Sequence, residues 1–322
     1  MKTEKNLEKK QHGKTGFKAI SSGYAFRCIK KNKGKYMFLL PGLILAILFG
    51  YIPLPGLYMA FVDYNPFRGI FGSPFVGLEN IKSIFMIPEF FKAITNTLLL
   101  SGINLFLIFP LPIIFALLLN EVRCKTLKRL TQTFSYLPHF ISTIAVVGIA
   151  TTLYGGSGIV NDLRVALFGE ETGRILFLGQ QEFFVPNIVI LTIWQSVGWN
   201  TVIYLSGISG IDPSLYEAAI VDGAGKMRQC WHITLPSLRT TIIMLFVLQV
   251  GQMFTSNFDL IYGLQNVFID FEVISTVIYK QGITQGNYSV ATAFSFVSGT
   301  LSVLLILGAN YFSKKIDDTS LI

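Results

Sequence analysis

Ile211-Asp212-Pro213-Ser214-Leu215-Tyr216-Glu217-Ala218-Ala219-Ile220-Val221-Asp222-Gly223-Ala224-Gly225, continuing through Lys226 to Trp231-His232-Ile233-Thr234-Leu235-Pro236, is a polar island between two apolar runs. Asp212 is a good N-cap, because its carboxylate accepts from an unpaired backbone N–H, and Pro213 suits the first helical position, where no N–H is needed. A short helix should begin there. Glu217, Ala218 and Ala219 favour its continuation, while Gly223 and Gly225 can supply the positive φ that stops it. Small side chains let another surface come close, and Glu217 offers that surface a charge. The pattern is that of a docking element rather than a core helix.

The runs on either side, Asn187 to Ser209 and Thr240 to Ser256, set the fold. A hydrocarbon core about 30 Å thick takes roughly 17 to 25 helical residues to cross. Four further runs of that size occur, Tyr36 to Val62, Ala93 to Leu119, Leu137 to Tyr154 and Ala291 to Phe312, giving six. All 44 formally charged residues lie between or outside them, as expected when a charge at the bilayer centre costs about 2.5 to 3.5 kcal/mol on insertion scales. An all-α, polytopic membrane protein of six transmembrane helices follows.

Composition agrees. The 322 residues are 52% hydrophobic and 14% charged, against about 25% charged in soluble proteins. The net charge of +8 is concentrated in Met1 to Lys35, where eleven bases meet two acids; this leaves the other 287 residues at −1. The basicity belongs to a tail, so a nucleic-acid partner is not indicated. With the N-terminus inside, the tail, Asn120 to Tyr136, Gly210 to Arg239 and the C-terminal end hold 20 of the 26 bases, and the opposite loops hold six. That asymmetry places both termini in the cytoplasm. The first run is too long for a signal peptide and is expected to be retained. Three regions result: a basic tail, 1–35; a six-helix domain, 36–312, with its main loop at about 210–237; and a C-terminal tail, 313–322.

Several chemistries find no support. Cys28, Cys124 and Cys230 all fall on the inferred cytoplasmic side, so no disulfide is expected. His12, His139 and His232 are scattered, and no metal-ligand spacing exists. Gly13-Lys14-Thr15 mimics the end of a phosphate-binding loop, but Glu8 stands where its first glycine belongs. Pro41, Pro53, Pro55, Pro110 and Pro112 each remove a backbone donor and should kink or interrupt the first two spans. Such breaks must be shielded by protein or face a wet cavity.

Glu217, Ala218, Ala219, Gly223, Ile233, Leu235 and Pro236 match a fixed spacing: Glu-Ala-Ala, three residues, Gly, nine residues, Ile, one residue, Leu-Pro. This resembles the "EAA" signature of permease subunits in binding-protein-dependent ABC importers. Gly50-Tyr51-Ile52-Pro53-Leu54, Asp63-Tyr64-Asn65-Pro66-Phe67, Asn120-Glu121-Val122-Arg123, Tyr136-Leu137-Pro138-His139-Phe140-Ile141-Ser142 and Trp231-His232-Ile233-Thr234-Leu235-Pro236 further resemble LplB-type carbohydrate permeases. These are similar to the larger membrane subunit of the maltose importer without its periplasmic insertion. The resemblance covers about Tyr36 to Phe312.

It implies a type I ABC importer permease fold and a non-catalytic transport subunit in the cell membrane. Implied partners are a second homologous permease, two ABC ATPase subunits, an extracellular solute-binding (lipo)protein, membrane lipid and an oligosaccharide substrate. No cofactor is implied on this chain; ATP and Mg belong to the ATPases. The ATPase-coupling residues it implies are Glu217, Ala218, Ala219, Asp222, Gly223, Ile233, Leu235 and Pro236.

Sugars are held by flat apolar faces ringed with amides and hydroxyls. Trp194, Gln195, Trp199 and Asn200 in the fourth run, with Gln249 and Gln252 in the fifth, suit that role at membrane depth. Gln195 and Trp199 are four apart, and Gln249 and Gln252 three apart, so each pair shares a helix face. Interfacial Trp and interhelical Gln account for the same residues equally well, and Asn104 is expected to join helices. An importer of the same fold for a peptide or amino acid, and a glycan sensor, stay open. An intramembrane enzyme is disfavoured because the six runs hold no Asp, Glu, Lys or Arg, and only His139 near one end.

Overall fold

A computed structural model describes residues 31–255 and 257–317. Nearly all of the basic tail, with Cys28, His12 and Gly13-Lys14-Thr15, and the last residues of the C-terminal tail lie outside this range. Among the described residues the regular structure is helical, apart from one isolated antiparallel bridge between Val62 and Phe75. Six helical segments are long and apolar enough to cross a membrane: Lys33–Phe61, Glu89–Glu121, Thr143–Phe168, Gln181–Ser209, Lys226–Gly251 and Tyr288–Lys315. The expected six-helix architecture is therefore present.

The chain divides into two compact units at Gly56 and Leu57. In the first, the helix Lys33–Ala46 buries none of its residues, as suits a helix solvated by lipid. The second unit has three apolar cores. One gathers Val146, Phe184, Leu191, Leu260 and Phe271; another gathers Ile84, Phe90, Ile274, Val277 and Phe294. The third, Ala116, Tyr204, Ile208 and Leu238, ties the second, fourth and fifth spans together.

Proline shapes the spans in a repeated way. A proline lacks an N–H, and its ring clashes with the carbonyl four residues back, a strain that widening the preceding turn relieves. The residue before Pro53, Ile52, donates instead five residues back to Ile47 O at 2.9 Å. Phe109, before Pro110, donates to Asn104 O at 2.8 Å, and the N–H of Leu235, before Pro236, reaches Cys230 O. Each proline thus follows a π turn: Ile47–Tyr51, Asn104–Ile108 or Cys230–Thr234. Pro41 and Pro186 sit inside helices without such a turn.

Two spans depart from the sequence expectation. The third, expected as one run from Leu137 to Tyr154, is interrupted. A helix Lys125–Tyr136 leads into a 3-10 turn, Leu137–Phe140, and a second helix, Thr143–Tyr154, restarts with Ser142 Oγ accepting from Ala145 N at 3.3 Å. Ser135 at the end of the first piece lies against Gly198. A Cβ on Gly198 would come within 1.9 Å of the Ser135 carbonyl oxygen, so only glycine admits this contact. Gly198 is eleven residues from the end of the helix Gln181–Ser209, or about 16 Å at 1.5 Å per residue. The break therefore packs against the interior of the fourth span rather than its end, just ahead of the third apolar segment, Thr143–Phe168. The fifth span starts at Lys226 rather than Thr240, because Ile233, Leu235 and Pro236 continue its helix through the π turn instead of lying in the loop.

Candidate functional site

The loop between the fourth and fifth spans folds into the expected capped helix, Pro213–Val221. Asp212 Oδ1 accepts from Ser214 N at 2.9 Å. Hydrogen bonding from the Ser214 backbone, then from its side chain, holds the Asp212 carboxyl below its ordinary value. The helix closes with two reciprocal bonds: Ala224 N to Ala219 O at 2.8 Å, and Gly223 N to Ile220 O at 3.0 Å. This pair of six-to-one and five-to-two bonds needs a left-handed residue between them, and Gly223 supplies it with φ +75°. Gly225, expected to share the task, has φ −69° and instead begins the next helix.

Three contacts fix the loop to the spans. Tyr216 OH and Thr234 Oγ1 are 2.9 Å apart. The buried Gln229 donates from Nε2 to Ala224 O at 2.8 Å. Lys226 pairs with Glu121, at the end of the second span, at 3.2 Å. The opposite face is free. Glu217, Ala218, Asp222 and Gly223 are exposed and Ala219 partly so, beside exposed Leu215, Ile220 and Val221, the last 87% accessible. The helix therefore presents one acid on a small, apolar surface. Ile233 and Leu235 are half-buried, and Pro236 is exposed, in the fifth span; they set where the loop joins that helix.

The residues picked for a sugar path separate into two groups. Asn200, Gln249 and Gln252 line a cavity of about 380 Å³ with Asn104, Thr192, Ser196 and Tyr204. A second hollow of about 70 Å³ shares Asn104, Thr192, Gln249 and Gln252 and adds Ser101 and Asn257. The side-chain amides of Asn104, Asn200, Gln249 and Gln252 have no hydrogen-bond partner among the described residues. Unpaired amides are costly in an apolar medium, so this cavity is suited to water or a polar guest. Asn104 thus faces the cavity rather than joining helices.

Gln195 and Trp199 turn elsewhere. Gln195 donates from Nε2 to Ile141 O at 3.0 Å, capping the break in the third span. Trp199 stacks on His139, with ring centroids 4.7 Å apart and planes 2° from parallel, and meets Phe140 edge-on at 5.4 Å. Both indole contacts come from the 3-10 turn Leu137–Phe140. Trp194, 41% exposed, joins neither group. The hydroxyls of Thr192, Ser196 and Tyr204 were not singled out from sequence, although Thr192, Ser196 and Asn200 repeat every four residues, a spacing that marks one face. Cys124 and Cys230 are free thiols, and no cluster of His, Cys, Asp or Glu suited to a metal exists among the described residues.

Residues 108–318 match the family described as "Binding-protein-dependent transport system inner membrane component". Protein LplB of Bacillus subtilis (strain 168) is 42% identical over 296 residues, covering 91% of this chain and 92% of LplB. The polygalacturonan/rhamnogalacturonan transport system permease protein YteP of the same organism is 41% identical over 288 residues, covering 88% of this chain and 89% of YteP. Among solved structures, a chain of a bacterial ABC transporter involved in the import of the acidic polysaccharide alginate superposes with a TM-score of 0.82 at 36% identity, covering 91% of this chain and 99% of that one. A chain from the bacterial alginate ABC transporter in complex with an alginate pentasaccharide-bound periplasmic protein gives a TM-score of 0.83 at 35% identity, over 92% and 99% of the two chains.

Proposed function

The chain belongs to the family of binding-protein-dependent transport inner membrane components, and from that premise we propose that it passes oligosaccharides or polysaccharide fragments across the cell membrane as one permease subunit of an ABC importer. It is a multi-pass, non-catalytic membrane subunit. The cargo class is carried over from relatives whose names speak of polygalacturonan, rhamnogalacturonan and alginate. The observation that carries the reading in this molecule is the cavity whose four partnerless amides, Asn104, Asn200, Gln249 and Gln252, suit a guest rich in hydroxyls.

The helix Pro213–Val221 docks on an ABC ATPase, with Glu217 paired to a base and Ala218 and Ala219 allowing close contact. Ile233, Leu235 and Pro236 hold the loop's root, and Asp222 with Gly223 shapes its end. Movement of the docked helix passes to the fifth span through the Tyr216–Thr234 bond, and the fifth span carries Gln249 and Gln252. Both termini lie in the cytoplasm. A second permease completes the pathway, two ATPases hold ATP and Mg, and an extracellular solute-binding protein delivers cargo. Gln195 and Trp199 act on the path through the third-span break, and Trp194 lies at its margin.

The test is uptake of labelled oligosaccharide by vesicles containing the whole complex with its binding protein. ATP-dependent accumulation is expected. Binding-protein-stimulated hydrolysis without accumulation would favour a sensor, and uptake of labelled peptide or amino acid instead would overturn the cargo.

A further inference from the structure

The helix Lys125–Tyr136 is polar on its inside, and its exposed side carries an apolar stripe beside Lys125, Thr126, Arg129 and Thr133. Its face toward the fourth span carries Lys128, Thr131, Gln132 and Ser135, all half-buried. Leu127, Leu130 and Phe134 point the other way and are 55%, 50% and 70% exposed. A water-facing amphipathic helix shows the reverse arrangement. The three exposed apolar residues recur at intervals of three and four, so they form one stripe.

The helix also climbs. It starts four residues after Glu121, the last residue of the second spanning segment, and ends where Ser135 meets Gly198, about 16 Å along the fourth span from its loop end. Twelve residues at 1.5 Å each span about 18 Å, roughly half a hydrocarbon core. At its foot are Arg123 and Lys125, with Arg129 one turn up; all three are exposed. None of them, nor Lys128, makes an ion pair among the described residues, and residues 122–136 contain no acid. The nearby Glu121 is engaged by Lys226.

We propose that this helix is a binding site for an anionic phospholipid. Arg123 and Lys125 take the phosphate, Arg129 reaches down to it along its aliphatic stem, and an acyl chain lies along Leu127, Leu130 and Phe134. The commitment to lipid follows from the pairing of charge and depth. Unpaired cations at the membrane edge complement an anionic headgroup, and the neighbouring apolar stripe from Leu127 to Phe134 rises about 10 Å, roughly two-thirds of one leaflet. The site depends on the chain spanning a membrane, not on the identity of the cargo.

The assembled transporter, purified in mild detergent, is examined by native mass spectrometry for retained phosphatidylglycerol, and its hydrolysis of ATP is measured in vesicles of phosphatidylcholine with and without phosphatidylglycerol. Retention on the unaltered complex should fall as salt is raised. The combined variant Arg123→Gln, Lys125→Gln, Arg129→Gln should retain at least about fivefold less phosphatidylglycerol and lose the response to it, with no change in phosphatidylcholine vesicles. Equal retention by the variant, or retention indifferent to salt, would overturn the site. Leu130→Ser with Phe134→Ser supplies the competing outcome. Loss of the second permease from the purified complex, with lipid retention intact, would assign the stripe to a protein partner and refute the lipid.

Discussion

Replacing Gly223 separates conformation from space as the reason for a glycine. A Cβ there meets nothing within 4 Å, so no neighbour has to move. The backbone, however, sits at φ +75°, where an ordinary L residue is held about 1 to 2 kcal/mol above its preferred region. That penalty corresponds to about a five- to thirtyfold loss in the population of the closed helix end. The loss falls on the bonds Gly223 N to Ile220 O and Ala224 N to Ala219 O, so the helix unwinds or runs on and Glu217 is presented at the wrong angle. In the assembled transporter, Gly223→Ala should reduce ATP hydrolysis stimulated by the loaded binding protein several-fold while leaving the yield of complex unchanged. Asn tolerates the left-handed region, so Gly223→Asn should recover most of the stimulation. Asn as damaging as Ala would mean that the ATPase needs the missing side chain, and an unaffected Ala variant would mean that the helix end does not limit coupling; either result refutes the conformational account.

Glu217→Ala should insert and assemble yet lose stimulated hydrolysis, since removing one member of a buried interfacial charge pair costs about 2 to 5 kcal/mol; normal uptake by the variant would remove the docking role. Gln249→Ala, deleting a partnerless cavity amide, should weaken apparent sugar affinity by about 1 kcal/mol, close to fivefold, without lowering the yield of complex. Trp199→Ala, by contrast, removes the stack on His139 and should lower yield as well, so an assembly defect confined to Gln249→Ala would reverse the two assignments. Single cysteines at Asn65, Gly179 or Asn266 should react with an impermeant thiol reagent outside intact cells while native Cys124 and Cys230 do not; outside labelling of Cys230 would invert the topology.

The six spans and the capped loop helix are legible in the sequence because both depend on local signals. Apolar runs declare themselves by length, and Asp212-Pro213 with Gly223 specify a start and a stop within twelve residues. The break in the third span is not legible in the same way. Pro138 marks it, but its position is fixed by the contact of Ser135 with Gly198 and by Gln195 on Ile141 O, partners more than fifty residues away. Gln195 and Trp199 share a helix face, as their spacing requires, yet that face meets the break while the next face along, through Thr192, Ser196 and Asn200, meets the cavity. Periodicity tells which residues travel together and not what they face. Gly225 shows the same limit on a smaller scale, since two nearby glycines are interchangeable on paper until the hydrogen bonds select Gly223.

The widened turns before the prolines have a geometric consequence. A π turn holds one more residue than an α turn, and one residue is about 100° of rotation about the helix axis. Every side chain beyond such a turn is therefore out of phase with a helical wheel drawn straight through it. In the fifth span the turn Cys230–Thr234 lies between the loop helix Pro213–Val221 and Gln249, and so it fixes the azimuth of one relative to the other. Drawing the turn in to an even helix with every residue kept would swing the loop about a quarter-turn and carry Tyr216 away from Thr234, whereas deleting one residue together with the wide turn would leave the two flanks in phase. The bearing of that surface is written in the phase of a helix that contributes almost nothing to it.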